Sequence, residues 1–125
     1  MKTPIRTFED LEVWQLGLEI CIEIYRFTNE RKSPVYRDFV YRDQIRKVGL
    51  SIISNIAEGF ESRTLGLYID FVGRAKGSAG EVRSQLRLGN TIGYLGADAF
   101  EKLNTQLRQC SRQLHALITS LEKNR

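Results

Sequence analysis

At 125 residues, with 42% hydrophobic and 27% charged side chains, the chain is sized for one domain with a core of its own. No apolar run approaches the ~18 residues needed to span a bilayer. The opening Met1–Asp10 segment has no apolar signal-peptide centre, so a cytoplasmic protein without a membrane partner is expected. The formal net charge of +4 is unevenly spread. Residues 1–30 balance to −3, residues 31–97 to +5 and residues 98–125 to +2. An acidic first helix beside basic middle helices suits either attraction of polyanions or charge pairing between subunits.

The first helix is predicted from about Glu9 to Arg31, starting near Thr7 or Asp10. Leu11, Trp14, Leu18, Cys21 and Tyr25 recur at steps of 3 and 4, which marks one helical face. A second apolar stripe, Val13, Leu16, Ile20, Ile24 and Phe27, runs beside it. A lone bundle needs one apolar stripe per helix. The second stripe is therefore assigned to an interface between subunits, against the alternative of a wide core-facing surface.

A polar connector ends at Pro34, and a second helix is expected over about 37–61. It carries Ile45, Val48, Ile52, Ile56 and Phe60, with Gly59 near its close. Thr64 is placed to cap a third helix over about 65–95. That helix holds Tyr68, Phe71, Val72, Ala75, Ala79, Val82, Leu86 and Ile92 at helical spacing, and six glycines. Each interior glycine costs about 1 kcal/mol relative to alanine, so close packing at Gly73/Gly77 and Gly89/Gly93 is expected to compensate. The fourth helix, about 98–122, has the cleanest seam: Phe100, Leu103, Leu107, Cys110, Leu114, Leu117 and Leu121. Short connectors then predict an all-α, up-down-up-down antiparallel four-helix bundle, oligomeric, as one domain over residues 1–125.

Candidate chemistry is sparse. Cys21 and Cys110 lie on apolar stripes and suit buried thiols. His115 stands alone, without the cysteine or acid cluster that a zinc site or a nucleophile–base pair requires. The segment Gly73–Ser78 lacks the spacing and preceding strand of a phosphate loop. No metal, cofactor or catalytic group is expected. Asn55, Glu58, Ser78 and Glu81 are expected to form a polar cluster between helices two and three, with Arg74 or Arg46 as counter-charge. Its role is open between a structural network and a ligand contact.

Two basic groups are candidates for nucleic acid, since lysine and arginine neutralise phosphates without a base-reading motif. One comprises Arg37, Arg42, Arg46 and Lys47, near Arg31 and Lys32, with Tyr36 and Tyr41 available to stack on bases. The other comprises Arg74, Lys76, Arg83 and Arg87 on helix three. A solvated charged face is the competing explanation for both.

Three strings carry a family resemblance: Phe8–Gln15 (FEDLEVWQ), Ser51–Gly59 (SIISNIAEG) and Ala75–Glu81 (AKGSAGE). Together they resemble the bacterial four-helix-bundle proteins encoded in intervening sequences of 23S ribosomal RNA genes. The likeness extends from Phe8 to about Leu121. Where that family often has a proline in its Ser-Ile-Pro-x-Asn stretch, this chain has Ile53, which should leave helix two straighter. The resemblance implies a homo-oligomer, a ring of five, and a relation to the accessory proteins of diversity-generating retroelements. Those proteins form basic barrels that bind a reverse transcriptase and nucleic acid. The functional expectation is a non-enzymatic, homo-oligomeric accessory protein that binds RNA or DNA. The contrasting one is a structural or protein-adaptor module without a nucleic-acid role.

Overall fold

The computed structural model describes residues 4–125, and among these it contains four α-helices and no strand. The helices are α1 (Glu12–Thr28), α2 (Phe39–Phe60), α3 (Leu65–Thr91) and α4 (Ala97–Glu122), with 3-10 turns at Phe8–Asp10 and Pro34–Arg37. Each helix packs on the one before it, and α4 closes on α1. Paired residues across the seams run in opposite directions: Cys21 meets Gly49 while Thr28 meets Arg46, and Tyr41 meets Gln85 while Ser51 meets Ser78. Neighbouring helices are therefore antiparallel, as their short connectors require.

The helix ends follow local chemistry. The Asp10 carboxylate accepts from the backbone N–H of Arg6 and Thr7, which tightens Phe8–Asp10 into its own turn and delays α1 to Glu12. Those two bonds hold Asp10 below the usual carboxylate pKa. Asp38 caps α2 by accepting from Tyr41 N–H, and Thr64 caps α3 by accepting from Leu67 N–H. Helix α3 stops earlier than its apolar period suggests. Gly93 has φ +87°, Gly93 N–H donates to Asn90 O and Tyr94 N–H donates to Gly89 O. This is a Schellman close, and it needs glycine at the left-handed position. The Tyr94 hydroxyl donates to Asp38, tying the α3–α4 turn to the start of α2 and holding the Asp38 carboxyl below its ordinary pKa.

The second stripe of α1 is not an interface. Val13, Ile20 and Ile24 are 5%, 0% and 0% exposed, and Leu16 and Phe27 pack partly buried against the same core. The surplus apolar surface lies on the other stripe, where Leu18 and Tyr25 are exposed together with the neighbouring Ile22. Gly17 and Gly49 decide the orientation: a Cβ at Gly17 would press on Ile53, and one at Gly49 on Ile24. The two helices thus approach closely along the Ile20–Ile24 face.

The α3 glycines divide in a way their spacing does not reveal. Gly73, Gly77 and Gly80 meet nothing within 4 Å, so close packing within the chain does not offset their helix cost. Gly89 is the packed one, beneath Tyr41 and Leu95. Gly59 closes no helix; it is buried against Phe71 and Tyr68 where α2 meets α3. Opposite effects are expected from one substitution. Gly80→Ala raises stability by about 1 kcal/mol. Gly89→Ala lowers it by roughly 1–2 kcal/mol, because the added methyl displaces the Tyr41 ring. The Gly89→Ala loss shrinks in a Tyr41→Phe background, where the hydroxyl is gone. Urea melts of the three variants check this.

Cys21 and Cys110 are free and buried, and burial pushes their thiols up to about 11 and about 12 respectively. The Cys21 S–H donates to Gly49 O at 3.1 Å. Both act as small apolar core residues.

Candidate nucleic-acid interface

The cations of α3 fall on two flanks. Arg74 turns toward α2, with its guanidinium 5.1 Å from the centre of the Phe71 ring. Arg83 and Arg87 turn toward α4: Arg83 Nε donates to Asn104 Oδ1 at 3.4 Å, and Arg87 lies 4.2 Å from the centre of the Phe100 ring. Lys76, seven residues before Arg83, shares that flank and is exposed. Arg74 is therefore not part of one patch with Lys76, Arg83 and Arg87.

Helix α4 completes the patch with two residues outside the basic groups expected from sequence. Arg108 and Arg112 follow Asn104 at successive turns, and both are exposed. Because α4 runs against α3, the turns after Asn104 rise alongside the turns before Arg83. The order along the flank is Arg87, Arg83, Arg108, then Lys76 and Arg112, at intervals of about 6 Å for each four-residue step. Glu81, the one acid of α3 beyond Phe71, is on the opposite flank, where its carboxylate accepts from Gln44 and Gln85. Glu101 is the one acid of α4 between Phe100 and Leu121. Among the described residues the ion pairs are Arg26–Glu23 and Arg42–Asp43, so none of the five flank cations is paired. The sequence signal for Arg108 and Arg112 is their four-residue spacing opposite the leucine seam.

The α2 basic group is used differently. Arg42 pairs with Asp43 at 3.2 Å, donates to Tyr36 O and covers the Tyr36 and Phe39 rings. Arg46 Nε donates to Thr28 Oγ1 at 2.9 Å, and its guanidinium covers the Tyr25 ring. These two guanidinia pin α2 to α1 and to its connector. Arg37 and Lys47 are exposed. Neither tyrosine is open for stacking on bases. The Tyr41 hydroxyl donates to Gln85 O and its ring packs edge-on to Tyr94, while Tyr36 lies under Arg31 and Arg42. Burial, joined by the charge of Asp38, raises the Tyr41 pKa well above the ordinary phenol value.

The expected polar cluster forms only in part. Ser51, absent from the expected set, joins Asn55 to Ser78: the two hydroxyls are 2.8 Å apart, and Asn55 Nδ2 donates to Ser51 O and Oγ. Glu58 is exposed and outside this network, and Glu81 lies apart with Gln44 and Gln85. Neither Arg74 nor Arg46 provides a counter-charge to these acids. The network fastens α2 to α3.

The family profile described as 23S rRNA-intervening sequence protein matches residues 9–116. A crystal structure from Bacteroides thetaiotaomicron VPI-5482, described as a protein with unknown function from the S23 ribosomal protein family, is similar in fold, with a TM-score of 0.75 and 27% identity. The match covers 85% of this chain and 97% of that one. No curated protein matches the sequence. With more than four-fifths of its length matched and the four helices in the observed order, the chain belongs to the 23S rRNA-intervening sequence protein family.

Proposed function

We propose that the chain is a non-catalytic, self-associating accessory protein that binds the phosphate backbone of RNA or DNA along the α3–α4 flank. The carrying observation is the run of Lys76, Arg83, Arg87, Arg108 and Arg112, unpaired and opposed by the single carboxylate Glu101. Arg83 and Arg87 are held in place by Asn104 and Phe100, which lowers the ordering cost of binding. Phe100 itself is 2% exposed, so it offers no face on which a base could stack. Recognition through phosphates alone is blind to sequence. The descriptions of the family and of the Bacteroides protein make ribosomal RNA the first ligand to try. Self-association would set several such flanks on one particle and multiply the charge.

Salt titration tests the proposal. Fluorescence anisotropy is followed with a labelled RNA hairpin and a labelled single strand, between about 50 and 200 mM salt. Five phosphate contacts per chain predict a slope of log affinity on log salt of about −4.5 for duplex and about −3.5 for single strand. Affinity then falls roughly 100- to 500-fold across the range. A flat profile rejects phosphate binding and favours a structural or adaptor module.

A further inference from the structure

Three of the four seams of the bundle are fastened by polar contacts between helices. Between α1 and α2, the Cys21 S–H donates to Gly49 O, and Arg46 both donates to Thr28 and covers the Tyr25 ring. Between α2 and α3, the Ser51 and Ser78 hydroxyls bond each other and Tyr41 donates to Gln85 O. Between α3 and α4, Arg83 donates to Asn104 and Arg87 covers the Phe100 ring. Among the described residues, no hydrogen bond or ion pair joins α1 to α4. The Glu23 carboxylate pairs with Arg26 on its own helix at 2.7 Å, although Lys102 lines the same gap from α4. These two helices also share the least contact of any neighbouring pair.

The seam is incompletely filled as well as unfastened. A cavity of about 260 Å³ lies in it, with Phe27 of α1 facing Leu95, Ala99, Leu103 and Gln106. Among the described residues, the side-chain carbonyls of Gln85, Gln106 and Gln113 are buried without a hydrogen-bond partner. Gln106 and Gln113 are seven residues apart on the face of α4 that meets α1. A buried carbonyl without a donor carries the full loss of its hydration. Water reaching this face would relieve both. Cys110, which is 0% exposed, lies between them, four residues after Gln106 and three before Gln113. Cys21 is turned toward α2, with its thiol held on Gly49 O.

We propose that the bundle opens along the α1–α4 seam as a local event, in which α1 stays on α2 and α4 stays on α3. The Cys110 thiol and the two glutamine carbonyls then meet water, while Cys21 remains covered. This opening costs less than unfolding, because it parts one seam, breaks no polar contact between helices and hydrates two unpaired carbonyls. It uncovers a cleft whose walls are Phe27 on one side and Leu103 on the other. Arg83 and Arg87 keep their α4 partners throughout, so the cationic flank is unaffected.

Native-state labelling of the wild-type chain with iodoacetamide, read by mass spectrometry of the two cysteine peptides, tests this. Cys110 is expected to react at least about tenfold faster than Cys21, with only a weak urea dependence below the unfolding transition. Cys21 is expected to react through global unfolding alone, with the full urea dependence. Equal rates with one urea dependence overturn the proposal, because the bundle then unfolds as a single unit. Faster reaction at Cys21 also overturns it, by moving the opening to the α1–α2 seam. So does a preference for Cys110 that disappears on dilution, since contact between copies would then be what protects Cys21. Gln106→Leu combined with Gln113→Leu removes both unpaired carbonyls and is expected to slow Cys110 labelling by about tenfold or more. An unchanged Cys110 rate in that folded variant rejects exposure of this face. If the double variant loses helix, as judged by circular dichroism, the wild-type comparison of the two thiols decides by itself.

Discussion

Ile24→Asp is expected to unfold the domain, not to release folded monomers. Ile24 is 0% exposed and packs where α1 approaches Gly49. Burying a carboxylate there without a partner costs several kcal/mol. A domain of this size has only about 5–15 kcal/mol of net stability. Circular dichroism at room temperature should show loss of helix or a melt shifted down by tens of degrees. Ile22→Glu, two residues away at a site 43% exposed, is the matched control and should melt within a few degrees of wild type. An Ile24→Asp protein with a wild-type melt would mean that the wrong stripe of α1 has been assigned to the core.

The second large effect concerns charge. A quadruple variant, Lys76→Gln, Arg87→Gln, Arg108→Gln and Arg112→Gln, should lose most nucleic-acid affinity. Its salt slope should collapse to about −1, since each removed phosphate contact takes ~0.7–0.9 from the slope. Arg83 is retained because its guanidinium bonds Asn104 in a part-buried setting. Lys76, Arg108 and Arg112 are exposed, and Arg87 gives up only its packing on Phe100. The fold should therefore persist, with stability changed by about 1 kcal/mol or less. The comparison variant, Arg37→Gln with Lys47→Gln, removes the exposed members of the α2 group and should change affinity less than about threefold. The reverse ranking would move the binding surface to α2.

Much of the architecture is legible in the sequence. The four helices follow from apolar spacings of 3 and 4, and Thr64 caps α3 as its position predicts. Helix α2 is unbroken through Ile53, as the missing proline suggests. The core of α4 is the stripe that the sequence displays, because only one stripe is apolar there. Helix α1 is harder: two adjacent stripes have the same period, and periodicity does not say which one faces inward. The stripe containing Ile20 and Ile24 wins because Gly49, far away in sequence, leaves room for it.

Charge follows the same logic. Arg74 and Arg83 are on one helix, yet one turns to Phe71 and the α2 side while the other bonds Asn104 of α4. Arg42 and Arg46 are candidate phosphate contacts in the sequence, and Arg46 also a candidate counter-charge, but the two are spent on Asp43, Tyr36, Thr28 and Tyr25. By itself the sequence determined the number of helices, their approximate ends, the antiparallel order and the family, because propensity, capping and apolar period act within a few neighbouring residues. Only the tertiary structure decided which stripe of α1 is buried, which glycines are packed and which cations stand together. Those outcomes depend on residues brought in from other helices, and no local pattern records what will lie opposite.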